Sequence, residues 1–267
     1  MLFRSYGVWL MLVQISTYLV VADIFPTSLL KFELAHLKGT SKAMDKQSLI
    51  GYGICSVLIS IPIYLVGLGF SLIWSQELIR SSSERFNWSS STLVILGIVA
   101  LLSKFVSVPE FALIGENLDY KTTAWRIGAV ILVGLLDVVV VAMGFGAIGL
   151  AAARLIASAI ELFVIVVLAG RNIPWFELKI PEWSGYWSFW KKGRPLFVLQ
   201  LGNALADSVD IVLIGYLAGS SAATVYVISG TLMRLIGQIG PVGLSGILPG
   251  FGDLLGRQRH QIGRAHV

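Results

Sequence analysis

The sequence predicts an all-α polytopic membrane protein. Its 267 residues are 56% hydrophobic and only 13% charged, whereas soluble domains have about 25% charged residues. The mean hydropathy is +0.81, and apolar runs of about 20 residues, the length needed to cross the hydrocarbon core, recur along the chain. Lysine and arginine also collect in alternate loops, as they do in proteins that cross a membrane several times.

Seven apolar runs are long enough to be transmembrane helices. They are predicted at residues 6–30, 48–74, 91–114, 124–145, 147–169, 195–217 and 222–248. Asp23 to Pro26 are expected to continue the first span as a kinked helix. Two connections, 144–146 and 218–221, are so short that the spans they join should be antiparallel neighbours.

The basic residues orient these spans. They cluster after the first, third, fifth and seventh spans, within 31–46, 121–126, 171–194 and 257–259. The opposite side has only Arg4, Arg80 and Arg85 outside the spans. Because cytoplasmic loops are rich in lysine and arginine, we expect the first group to face the cytoplasm and the N-terminus to lie outside. The net charge of +5 is explained by this orientation, so no nucleic-acid partner is expected.

No arrangement of residues typical of catalysis is present. Cys55 is the single cysteine and lies in an apolar span, which leaves no disulfide framework or cysteine-based metal site. The histidines at 36, 260 and 266 are scattered outside the spans. There is no glycine-rich phosphate loop and no His/Cys metal spacing. We therefore expect a protein that is not an enzyme and that has neither catalytic residues nor a bound metal.

The inner segment 171–193 contains an aromatic stripe. Trp183, Tyr186, Trp187 and Trp190 recur at helical spacing and are followed by two lysines. This pattern is typical of a helix in the membrane interface, with its rings at headgroup depth and its lysines toward anionic lipid. An aromatic platform for a sugar or lipid is the alternative.

Polar residues inside the spans are the candidate functional residues. Gln200, Asn203, Asp207 and Asp210 fall on one face of the sixth span. The seventh span carries Arg234 and Gln238 ahead of Gly240 and Pro241, and the third carries Lys104. A carboxylate at mid-bilayer costs about 2.5–3.5 kcal/mol on insertion scales, so these groups are expected to line a hydrated cavity.

Asp137, Arg154 and Glu161 form a second group of charges within the spans. Arg154 and Glu161 share a helix face with Ser158. Since Asp137 and Arg154 lie on spans joined by a short turn, we expect them to form a structural ion pair; a role in ion coupling is the alternative.

Several segments resemble a known family: residues 6–9, the basic loop 31–46, residues 109–127, and residues 210–215 together with Tyr226. They resemble oligosaccharide and polysaccharide flippases of the multidrug/oligosaccharidyl-lipid/polysaccharide exporter superfamily. The resemblance implies two lobes of six helices around a central cavity. It also implies alternating access that moves a lipid-linked oligosaccharide from the cytoplasmic to the outer leaflet of the bacterial inner membrane, for cell-surface polysaccharides such as lipopolysaccharide.

This template divides the chain. Residues 1–170 correspond to first-lobe helices two to six, 171–193 to a cytoplasmic linker helix, and 194–256 to helices seven and eight, which begin the second lobe. The chain is then expected to be truncated at both ends. Residues 262–267 look like a translated sequencing adapter, which also points to a gene fragment.

The resemblance also implies roles for the candidate residues. Lys104 and Arg234 are expected to meet the pyrophosphate of a polyprenyl-linked saccharide. Asp207 and Asp210 are candidates for a coupling H⁺ or Na⁺, and no other cofactor is implied. Besides the lipid bilayer, the expected partners include other polysaccharide-assembly proteins.

Two other interpretations stay open. One is a cation-coupled exporter of small molecules from the same superfamily. The other is a non-transporting scaffold subunit, in which Lys104, Asp207 and Arg234 pair with each other and leave no hydrated cavity. The aromatic linker and the inward-facing basic residues favour the lipid-linked substrate.

Overall fold

Every regular element in the described part of the chain is a helix. The computed structural model describes residues 2–21, 27–37, 43–80, 89–177 and 182–231. Its helices are α1 (Leu2–Val21), α2 (Leu29–His36), α3 (Ala43–Arg80), α4 (Ser89–Gly115), α5 (Asp119–Ala142), α6 (Gly146–Asn172) and α7 (Trp183–Ala218), followed by α8, described over 220–231. The all-α prediction is confirmed over these residues.

Within the described residues, four helical stretches are long and apolar enough to cross a membrane: Asp45–Trp74, Ser89–Gly115, Asp119–Ala142 and Gly146–Asn172. They correspond to the second to fifth predicted spans. The chain is therefore a multi-pass membrane protein. The count of seven spans and the arrangement in two lobes stay predictions.

The first predicted span differs in the structure. Helix α1 ends at Val21, and a separate helix, α2, begins at Leu29 after the turn at Thr27 and Ser28. Pro26, which precedes this turn in the sequence, has no amide proton to donate to a continuing helix. The predicted kink at residues 23–26 lies outside the described residues.

The predicted linker helix and the predicted sixth span form one helix in the structure. Helix α7 runs from Trp183 to Ala218 and includes Pro195. It ends at Gly219, whose φ of 88° is a conformation that glycine adopts without strain. This residue makes the tight turn into α8, so the predicted antiparallel connection at 218–221 is present.

Helix α4 lies at the centre of the bundle, in contact with α1, α2, α3, α5 and α6. Two apolar clusters surround it. Toward its C-terminal half, Leu113 packs with Leu30, Leu34 and Ile165. Toward its N-terminal half, Leu93 and Leu96 pack with residues of α1 and α6, including Leu12 and Ala151.

Helix α5 is covered on little of its surface. Its contacts are with α6 and, to a lesser extent, α4, and Thr122 is its buried residue. The rest of its surface consists of exposed apolar side chains such as Val130 and Val138, which are 73% and 68% exposed. Such a surface is compatible with lipid, because lipid tails are as apolar as the side chains they touch.

Helix α1 approaches the α7–α8 hairpin closely enough for the backbones to touch. A Cβ atom on Gly7 would overlap the carbonyl oxygen of Ser220 and lie 2.8 Å from Thr224 Oγ1. One turn further along α1, Met11 packs against the backbone of Gly215. Small residues that allow such close approach are a common means of packing helices in membranes.

The contact at Gly7 yields a first prediction. Gly7→Ala should destabilise the protein by about 1–3 kcal/mol, the usual cost of overpacking, because the atom it strikes belongs to the backbone and cannot rotate away. Gly128→Ala on α5 is the matched control, since nothing lies within 4 Å of its Cβ position. Thermal unfolding in detergent should give a lower Tm for Gly7→Ala alone. Equal Tm values for the two variants would contradict the close packing of α1 on the hairpin.

Candidate functional site

Lys104 lies buried in the middle of the central helix. It is 5% exposed and lies in a membrane span, where lysine is rare because burying its charge is costly. Ser107, on the next turn of α4, donates its hydroxyl to the Lys104 carbonyl oxygen at 2.7 Å. The Ser107 hydroxyl also lies 3.2 Å from that of Thr27, in the turn between α1 and α2. The backbone carbonyl of Lys104 and the hydroxyl groups of Ser107 and Thr27 therefore lie next to one another inside the bundle.

Gln200 joins this polar region from the other side. Its Nε2 donates to Ser28 Oγ at 2.9 Å, so α7 is attached to the turn that Thr27 and Ser28 form. Together these contacts make an inner polar cluster, defined by Thr27, Ser28, Lys104, Ser107 and Gln200. It links α4, the α1–α2 turn and α7.

The sequence identified Lys104 and Gln200 but missed the three hydroxyl residues. Serine and threonine are common in transmembrane helices, where they often hydrogen-bond their own backbone, so they carry little signal alone. Two features could have drawn attention to them. Ser107 lies one turn from Lys104, and Thr27 and Ser28 directly follow Pro26, where the sequence predicts a kink in the helix.

Asp210 lies apart from this cluster, nearer the C-terminal end of α7. It accepts a hydrogen bond from the Tyr226 hydroxyl at 2.9 Å, which ties α7 to α8. Both residues are exposed. Because a helix rises about 1.5 Å per residue, Gln200 and Asp210 are roughly 15 Å apart along α7. The predicted stripe therefore extends over about half of the hydrocarbon thickness.

The other stripe residues are only partly described. Asn203 is exposed on α7. The backbone of Asp207 is helical, but its side chain lies outside the described residues, as do Arg234 and Gln238 entirely. That these groups line one cavity together with Lys104 stays a prediction.

Asp137 and Arg154 lie side by side across the α5–α6 hairpin. Arg154 Nη2 is 3.6 Å from Asp137 Oδ2, and the Arg154 guanidinium lies 5.2 Å from the centre of the Trp9 ring. Arg154 therefore links α6 to α5 by charge and to α1 by a cation–π contact. The pair is incompletely hydrogen-bonded, since Asp137 Oδ1 and Arg154 Nε are buried without a hydrogen-bond partner among the described residues.

Glu161 belongs to a charged cluster that includes two residues absent from the candidate set. Arg126 Nη2 lies 2.7 Å from Glu110 Oε2, and Arg126 Nε lies 3.8 Å from Glu161 Oε1. The side chain of Glu110 is 6% exposed, whereas that of Arg126 is 51% exposed. One guanidinium from α5 thus faces carboxylates from α4 and α6. It adds to the Asp137–Arg154 pair a second polar attachment of the otherwise sparsely packed α5.

Basic residues of the predicted cytoplasmic loops also form ion pairs. Lys46 lies 2.7 Å from Glu116, and both side chains are largely buried. Lys192 lies 2.9 Å from Glu33, with a more exposed side chain. Some of the positive charge that is predicted to orient the chain therefore also forms ion pairs between helices.

Comparison with known proteins identifies a family. A family model described as "polysaccharide biosynthesis protein" matches residues 85–242, which is more than half of the chain and includes α4 to α7 and the described part of α8. No curated protein and no solved structure matches the chain.

The charged cluster around Arg126 yields a second prediction. Arg126→Gln should destabilise the protein by about 2 kcal/mol, because it leaves the buried Glu110 carboxylate without its cation. This loss is smaller than the roughly 3–5 kcal/mol that removing one partner of a fully buried ion pair costs, because Arg126 is half exposed. Glu110→Gln combined with Arg126→Gln should restore much of the loss, as measured by thermal unfolding in detergent.

The control is Lys192→Gln, which removes an exposed partner of Glu33 and should cost less than about 1 kcal/mol. If the single and double variants at 110 and 126 unfold at the same temperature, Glu110 does not depend on Arg126.

Proposed function

The chain belongs to the polysaccharide biosynthesis protein family, and from this we propose that it is a flippase for a lipid-linked oligosaccharide. It would move this substrate from the cytoplasmic to the outer leaflet of the bacterial plasma membrane during cell-surface polysaccharide biosynthesis. The observation that carries the proposal is the buried cation Lys104, which lies at the centre of a membrane-spanning helix within the matched segment.

A lysine inside a membrane span is rare and marks a candidate functional site. The pyrophosphate that links the saccharide to its polyprenyl carrier would pair with such a cation and would offer hydrogen-bond acceptors to hydroxyl groups such as that of Ser107. In this proposal Lys104 and Arg234 bind the pyrophosphate, and Gln200, Asn203 and Gln238 supply uncharged polar contacts along the path. The protein binds and moves its substrate without changing it chemically.

Alternating access would require the two proposed lobes to part at one end and then at the other. Two of the contacts between the α7–α8 hairpin and the proposed first lobe lie at separate positions along α7: Gln200 bonds to Ser28, and Gly215 and Ser220 pack against α1. In the proposed cycle, the first contact opens to admit substrate from the cytoplasmic side. The second opens to release it on the outer side.

A carboxylate on α7 would couple transport to an ion. Asp207 and Asp210 are the candidates, with H⁺ or Na⁺ as the ion. Asp210 has a contact suited to this role, because its hydrogen bond from Tyr226 on α8 would respond to a change in its charge. Ion-coupled export of a small molecule is the second candidate, since it would use the same aspartate for coupling.

A third prediction concerns Lys104. Lys104→Met should lower export of surface polysaccharide about tenfold or more, since a hydrogen bond to a charged group contributes about 1.5–3 kcal/mol. Lys104→Arg should retain most of it. Each variant is placed in the native gene of this protein, in a strain without another flippase for the same polysaccharide, and export is compared at equal membrane abundance.

Lys192→Gln is the matched control, since it removes a cation that is paired with Glu33 at the helix surface. Normal export by Lys104→Met would rule out Lys104 as a substrate-binding residue. Drug efflux that depends on Lys104, with polysaccharide export unchanged, would favour small-molecule export.

The contact between Asp210 and Tyr226 gives a fourth prediction. If Asp210 carries the coupling ion, Asp210→Asn should abolish export driven by an ion gradient, because an amide neither takes up a proton nor neutralises Na⁺. Tyr226→Phe removes only the hydrogen bond and should reduce export a few-fold at most. The measurement is substrate translocation in vesicles with an imposed pH or Na⁺ gradient. Equal losses in the two variants would show that the contact serves to hold the hairpin together.

A further inference from the structure

The first half of α7 carries an ordered stack of aromatic and basic side chains. The rings of Trp187 and Trp190 stack with their centres 4.5 Å apart and their planes at 16°. The Arg194 guanidinium lies 4.0 Å from the centre of the Trp190 ring. Together with Lys191, these residues occupy positions i, i+3, i+4 and i+7 of the helix, which is one face. We call this set the α7 ladder: Trp187, Trp190, Lys191 and Arg194.

The ladder faces outward because the other side of α7 is packed. Tyr186 and Phe189 are 1% and 6% exposed, and their rings lie 6.2 Å and 5.7 Å from that of Tyr52 on α3. Trp187, in contrast, is 45% exposed. The fold therefore fixes the direction in which the ladder points.

The ladder also carries positive charge that no described residue neutralises through an ion pair. Among the described residues, no carboxylate forms an ion pair with Lys191 or Arg194. Lys192, the next residue after Lys191, points to another side of the helix and pairs with Glu33. Two cations beside stacked tryptophans provide what an anionic headgroup requires: charge for the phosphate and an amphipathic ring surface at the boundary with the acyl chains.

We propose that the α7 ladder binds the phosphate headgroup of an anionic phospholipid in the inner leaflet. Arg194 directly precedes the predicted membrane span at Pro195, which places it at headgroup depth on the basic, cytoplasmic side. At about 100° per residue, the ladder lies roughly 130° around the helix from Gln200. Because Gln200 points into the bundle toward Ser28, the ladder faces away from the inner polar cluster. The bound lipid is thus a resident of the leaflet and is separate from the transported substrate.

The test measures which lipid the protein retains. The protein is reconstituted in vesicles of equal phosphatidylcholine and phosphatidylglycerol and re-extracted, and its bound lipid is quantified by mass spectrometry. Native protein should be enriched in phosphatidylglycerol. Lys191→Gln and Arg194→Gln should each reduce the enrichment by about fivefold, which corresponds to roughly 1 kcal/mol for one cation near an anionic surface. Lys192→Gln is the matched control and should leave the enrichment unchanged.

A second measurement locates the lipid. Phosphatidylglycerol brominated on its acyl chain should quench tryptophan fluorescence more than brominated phosphatidylcholine does, and Trp187→Phe should reduce that difference. The proposal is overturned if the native protein shows no enrichment, or if Lys192→Gln lowers it as much as Lys191→Gln. It is also overturned if polyprenyl diphosphate, added at a concentration equal to that of phosphatidylglycerol, displaces the phospholipid, because the ladder would then belong to the transport substrate.

Discussion

Charge inside an apolar solvent is the constraint on which this structure depends. The hydrocarbon core cannot hydrate a carboxylate or a guanidinium, so each must find a partner within the protein or in a hydrated space. The buried Glu110 carboxylate of α4 satisfies this constraint by contacting Arg126 of α5, which also faces Glu161 of α6. Arg154 satisfies it by contacting Asp137 and the ring of Trp9. These contacts attach α5, whose apolar surface is otherwise mostly uncovered, to the rest of the bundle.

Two polar contacts of α7 lie toward opposite ends of its predicted membrane span. Toward the N-terminal end of the predicted span, Gln200 donates a hydrogen bond to Ser28. The adjacent residue, Thr27, contacts Ser107 one turn from Lys104. Toward the C-terminal end, Asp210 meets Tyr226 at the hairpin. The same helix carries the outward-facing ladder before its span begins. One helix thus connects a proposed lipid contact, a proposed substrate contact and a proposed coupling residue, so a movement of α7 would affect all three together.

Sequence-based prediction succeeded where the relevant information is local. The second to fifth predicted spans correspond to long apolar helices because a run of about 20 apolar residues has few alternatives in a membrane. The contact between Asp137 and Arg154 was also accessible, because a short turn forces their helices to be antiparallel neighbours. Prediction of the ends of helices was less successful. Whether a helix ends near a proline, as at Pro26, or continues through it, as at Pro195, depends on how neighbouring helices pack around that proline.

By itself, the sequence determined that this chain is helical, crosses a membrane several times and belongs to a polysaccharide biosynthesis family, since composition, apolar run length and motifs are properties of the chain alone. Only the tertiary structure decided that Glu110 meets Arg126, that Gln200 meets Ser28, and that Gly7 lies against the α7–α8 turn. The physical reason is that a helix presents side chains in every direction. Which of them find partners depends on the rotation and depth of the helices beside it, and these are determined by packing between residues distant in the sequence.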